Sequence, residues 1–138
     1  MTDEVYRGGV QRAVRDSIEE LRISYETATQ RGEDYFKHLI WALAHSDIVD
    51  VRVDDWLATY GGLAGQLNWN RIDEKKLRTA IGNFKTPQYG NIITNTPARY
   101  GSAEMRYRFK RFTNMLMRGH VRLQAESEGV NLGKEPGL

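Results

Sequence analysis

Lys75, Arg78 and Thr79 recur at steps of three and four, and Gly82 continues the row. In a helix those positions share one face, opposite Leu77, Ala80, Ile81 and Phe84. A row of cations and small residues backed by an apolar stripe suits a helix laid against phosphates and base edges. A second cationic set alternates along Met105-Arg106-Tyr107-Arg108-Phe109, where a strand turns both arginines to one side. Lys76 extends the first set, and Arg99 and Lys110 extend the second. The expected nucleic-acid-binding residues are therefore Lys75, Lys76, Arg78, Thr79, Arg99, Arg106, Arg108 and Lys110. Tyr89 and Tyr100 have side chains that stack on bases or donate to phosphate, or else simply pack.

Reaction chemistry is harder to find. The chain has no cysteine, which removes disulfides, thiolate nucleophiles and Cys-based metal sites. His38, His45 and His120 are dispersed and none lies in an HExxH pattern, so no metal is expected. The five serines lack a nucleophile-elbow context. Glu19-Glu20 and Asp54-Asp55 read as solvated faces and caps rather than acid–base pairs. The Gly-rich stretch Gly61-Gly62-Leu63-Ala64-Gly65 lacks the Lys-Ser/Thr ending and the spacing of a phosphate loop. The expectation is a non-enzyme with no cofactor and no nucleotide hydrolysis of its own.

The net charge of +2 conceals an uneven distribution. Residues 1–70 hold seven Lys/Arg against twelve Asp/Glu, and residues 71–122 hold twelve against three. A basic half on a mildly charged chain suggests a polyanionic partner, duplex DNA above all. An acidic protein surface is the other partner that such a face fits. No apolar run approaches the ~20 residues of a membrane helix, so no membrane partner is expected. The acidic start Met1-Thr2-Asp3-Glu4 does not read as a secretory signal, and with no cysteine a cytoplasmic bacterial or viral setting is the expectation.

The elements that position these residues are read from periodicity. Val10, Val14, Ile18, Leu21, Tyr25 and Ala28 mark a helix over about 9–30. Asp34 to His45 is apolar nearly all round and reads as a central buried helix. A short strand at Val51-Arg52-Val53 precedes a helix from Asp54, with Gly61 as its stop. Asp73 caps the next helix, which carries the cationic row and ends before Pro87 and Gly90. Asn91–Thr94 and Met105–Phe109 read as two strands joined by a loop. A last helix runs from about Thr113 to Glu126, with Met115, Leu116, Gly119 and Leu123 as its inner stripe. Residues 1–8 and 128–138 read as flexible ends around a single domain over 9–127. The fold expected is mainly α within the α+β class: a winged helix-turn-helix with one additional helix at each end.

Several segments together resemble a known pattern. They are Tyr35-Phe36-Lys37-His38-Leu39-Ile40-Trp41-Ala42-Leu43-Ala44, Leu77-Arg78-Thr79-Ala80-Ile81-Gly82-Asn83-Phe84, and Tyr89-Gly90-Asn91-Ile92-Ile93. Tyr107-Arg108-Phe109 and Met117-Arg118-Gly119-His120-Val121-Arg122-Leu123 complete the set. They resemble the winged-helix region at the C-terminus of bacterial and archaeal ATPases of the AAA/STAND kind. Lys110 to Asn114 stands where that pattern has a short Asp-Pro link, and the ATPase core itself has no counterpart. The resemblance implies a module that binds DNA, binds a partner, or holds an ATPase core in an off state. Fold analogy does not choose among these.

Overall fold

The computed structural model describes residues 3–30, 32–97 and 108–133, with side chains from residue 15 onward. Five α-helices are described: α1 (Asp3–Thr29), α2 (Asp34–His45), α3 (Val53–Leu67), α4 (Glu74–Asn83) and α5 (Met117–Ser127). Three short strands, β1 (Val51–Arg52), β2 (Ile93–Asn95) and β3 (Phe109–Phe112), form an antiparallel sheet in the order β1-β3-β2. The register pairs Val51 with Lys110 and Arg52 with Phe109 on one side of β3. On the other side Ile93 pairs with Phe112 and Asn95 with Lys110. The mainly helical α+β class is therefore as the sequence suggests.

α2 is the centre of the packing. Phe36 and every residue from Leu39 to Ala44 are buried, as all-round apolarity requires. α1, α3, α4 and α5 all pack against it. Two indole N–H groups are satisfied within this core, Trp41 Nε1 by Tyr25 Oη at 3.0 Å and Trp56 Nε1 by the Leu39 carbonyl at 2.7 Å. Tyr89, in a single 3₁₀ turn over Pro87–Tyr89, lies parallel to Phe36 with ring centroids 5.7 Å apart. That places Tyr89 as packing rather than phosphate contact; Tyr100 lies outside the described residues.

Several boundaries differ from expectation for physical reasons. α3 runs through Gly61 and Gly62 to Leu67 and ends on Asn68, whose φ of 57° is left-handed. Asp34 and Asp54 lie inside the first turns of their helices, where a carboxylate complements the dipole. The Asp73 side chain makes no capping bond to α4. β3 begins only at Phe109 and has the opposite facing: Lys110 and Phe112 are buried, while Phe109 and Arg111 are half-buried. α5 starts at Met117, and its inner stripe is Met117, Val121 and Ala125. Leu116 and Leu123, expected inside, are 63 % and 65 % exposed, and Met115 is exposed beside them. The sequence offers two apolar stripes on opposite sides of this helix, and packing against α2 takes the second. The ends also differ: α1 already begins at Asp3. Residues 128–133 are docked, with Leu132 buried and the Gly133 N–H donating to His45 Nδ1 at 2.9 Å.

Candidate functional site

Four of the expected contact residues lie on α4. Leu77, Ala80 and Ile81 bury one face of this helix, and Lys75, Lys76, Arg78 and Thr79 are exposed. Lys75 and Lys76 make no ion pair among the described residues. Thr79 Oγ1 donates to the Lys75 carbonyl at 2.9 Å, so this hydroxyl is engaged with its own helix. Arg78 is held from two sides. Its Nη2 lies 2.9 Å from Asp54 Oδ1 on α3 and 2.9 Å from Glu74 Oε1 one turn back.

Asp54 is the point where the cations converge. The hydrogen bond from Arg78 holds its carboxyl below the ordinary range, and the charges of Arg78, Arg52 and Arg108 act in the same sense. Arg108 is exposed at the entry to β3, makes no ion pair among the described residues, and acts on Asp54 through its charge. Thus the structure brings Arg78 and Arg108 together around Asp54, with Lys75 beside Arg78 and interleaved with Asp73 and Glu74; Lys76 is exposed on the same helix but is not brought to that group. Arg52, which pairs with Asp55 at 3.3 Å, joins them. Sequence reasoning missed Arg52, although its place just ahead of the α3 acidic pair was the available signal. The same surface is less basic than the sequence suggests, because its own carboxylates occupy Arg78.

Lys110 is a correction. It is 5 % exposed and its Nζ donates to Asn95 Oδ1 across the β2–β3 pair. Burial pushes its ammonium down to about 8, and the nearby Lys85 adds to the effect. Strand parity explains this: Lys110 shares a face with Phe112, which belongs to the core. Arg99 and Arg106 lie outside the described residues.

Much of the remaining positive charge serves the fold. Arg111 clasps Asp50 through Nε at 2.6 Å and Nη2 at 2.8 Å. Arg118 donates to the Ile48 carbonyl at 2.6 Å. Arg122 donates to the Ala44 carbonyl at 2.8 Å and to Asp47 Oδ1 at 2.7 Å, closing the open C-terminal end of α2. These arginines satisfy backbone acceptors and internal carboxylates, so the basic balance of residues 71–122 overstates what faces a partner.

Among the described residues no group of three or more His, Asp or Glu is placed to hold a metal. Among them too, no helix is long and apolar enough to cross a membrane. Comparison of the chain with family models, with curated proteins and with solved structures gives no match.

Proposed function

We propose that the chain is a non-catalytic winged-helix module that holds duplex nucleic acid by its phosphate backbone through α4 and the start of β3. The observation that carries this reading is the pair Lys75 and Lys76, exposed on the outer face of α4 and free of internal ion pairs among the described residues. The order α2, β1, α3, α4, β2, β3 with a β1-β3-β2 sheet supports it, since a winged helix has that succession. Arg108 supplies a third cation to the same region. Contacts of this kind position a duplex without reading its sequence. The test is titration of a labelled duplex at ~50 mM salt, where a dissociation constant tighter than about 0.1 mM is expected. Reversal of Lys75 and Lys76 to Glu weakens every duplex by a similar factor. A folded chain with no duplex binding under these conditions overturns the reading.

The second reading is a protein-interaction module that docks a partner, such as the ATPase core that the sequence resemblance implies. Met115 and Leu116, just ahead of α5, and Leu123 on it favour it, because all three are large apolar side chains left exposed. Gly119 stands between them with open space where a Cβ would project. In that case Leu116→Asp abolishes partner binding and leaves duplex binding unchanged.

A further inference from the structure

The start of α2 and the segment that joins α3 to α4 enclose a pocket of about 540 Å³. Glu33 and Asp34 line it, both are exposed, and neither makes an ion pair among the described residues. No Lys or Arg among the described residues lines it. His38, the one ionisable base on its wall, is held below its ordinary pKa by burial and is neutral at pH 7. The two carboxylates therefore go unanswered within the pocket.

Much of the remaining wall is aromatic. Tyr35 and Trp69 are half-buried, and Trp69 is fixed parallel to His38 with ring centroids 4.0 Å apart and planes 3° apart. Tyr60 is 4 % exposed, and its hydroxyl is buried on the side of Tyr35 with no hydrogen-bond partner among the described residues. A ligand does not touch that oxygen. Its hydrogen can still turn away from a positive charge in the pocket and leave the lone pairs toward it. Carboxylates beside electron-rich rings suit an organic cation: the first meet its charge and the second meet the carbon body around it. A metal ion is a poorer fit, because among the described residues no group of three or more His, Asp or Glu is placed to hold one.

We propose that this pocket binds an organic ammonium ion, the ammonium held by Glu33 and Asp34 and the body it carries lying against Tyr35 and Trp69. The full chain, labelled with nitrogen-15, is titrated with phenethylamine, with phenethyl alcohol as the neutral counterpart and with phenylacetate as the anionic one. Saturable amide shifts centred on the start of α2 and residues 68–72 are expected with the amine. The alcohol binds about tenfold more weakly, the worth of one charge-assisted hydrogen bond, and phenylacetate gives no saturable shift. Glu33→Gln with Asp34→Asn brings the amine down to the affinity of the alcohol. Asp16→Asn with Glu20→Gln makes the same change of net charge on α1, outside the pocket lining, and leaves the amine affinity as it was. All four carboxylates are exposed and make no ion pair among the described residues, so thermal melts are expected to show both variants folded. The proposal is overturned if the amine gives no saturable shift at the pocket, or if phenylacetate binds as well as the amine. It is also overturned if the preference over the alcohol survives Glu33→Gln with Asp34→Asn, or if the α1 variant loses it equally.

Discussion

Lys110 shows how one residue changes meaning between sequence and structure. In the sequence it belongs with Arg106 and Arg108 as part of a basic hairpin. In the fold it is a buried amine bonded to Asn95, with its pKa lowered to about 8 by burial. The consequence for stability has a definite sign. Between pH 8 and the ordinary lysine value near 10.4, the unfolded chain holds a proton that the fold has released. Unfolding free energy therefore rises with pH over that interval. Tyrosines raised by burial, Tyr25 to about 12 among them, act oppositely above pH 10, so the clean window is about pH 8 to 9.5. Urea midpoints across that window are expected to rise for the natural chain and stay flat for Lys110→Met. The histidines act in the same sense on the acid side. Burial holds His38, His45 and His120 below their ordinary pKa, so stability present above pH 6.5 is lost as they are forced to protonate on acidification. His45 adds a direct cause, since its Nδ1 accepts the Gly133 N–H and cannot do so once protonated. Loss of the docked segment 128–133, followed by hydrogen exchange at Gly133 from pH 7 to pH 5, is the expected sign.

At the scale of elements, legibility followed the strength of the hydrophobic signal. α2 was readable because seven of its twelve positions are buried and apolar, so no rotational choice remained to be made. Leu43 on it is expected to cost about 2–5 kcal/mol on truncation to Ala, read from urea denaturation. α5 was legible as a helix but not in its facing. Its sequence offers two apolar stripes, Met115-Leu116-Leu123 and Met117-Val121-Ala125, and only tertiary packing selects the second. Val121→Ala is accordingly expected to cost about 1.5–3 kcal/mol, as for loss of two fully buried carbons and the cavity they leave, whereas Leu123→Ala stays within about 0.5 kcal/mol of the natural chain. Equal losses in a denaturant titration would restore the first stripe. β3 was misread for a related reason: a strand of alternating cations and aromatics satisfies either parity, and a buried lysine is the rarer outcome. The glycines of α3 divide from Gly90 on the same physical ground. Gly62→Ala is expected to raise stability by up to about 1 kcal/mol, because the Cβ site is open and the backbone helical. Gly90→Ala is expected to lower it, because φ is +75° and a Cβ would lie 2.8 Å from the Ser24 carbonyl oxygen.

For the whole molecule, the question is how much of the basic half can reach an external polyanion. The site was legible in the row on α4, whose helical period is unambiguous, but its electrostatics were not. Pairing depends on contacts such as Arg78–Asp54, which join residues far apart in sequence. Nothing in the local pattern of α4 announces that α3 will place a carboxylate against it. The outcome is a surface with three free cations among the described residues, Lys75, Lys76 and Arg108, and a fourth held in reserve by Asp54 and Glu74. Neutralising three phosphates gives a slope of log affinity against log salt near −2.7, and four give about −3.6. Asp54→Asn with Glu74→Gln releases Arg78 without changing the shape of either helix. Both substituted groups are exposed, and exposed ion pairs contribute little, so the fold is expected to survive the change. The double variant should therefore bind a duplex more tightly at low salt, with the slope steepened by about 0.9, one further phosphate contact. A general weakening of repulsion would raise affinity too, but it would leave the count of displaced ions nearly where it was. Adding Arg78→Gln to the double variant separates the two: the steeper slope should return to that of the natural chain. A slope that stays steep without Arg78 would remove this arginine from the interface.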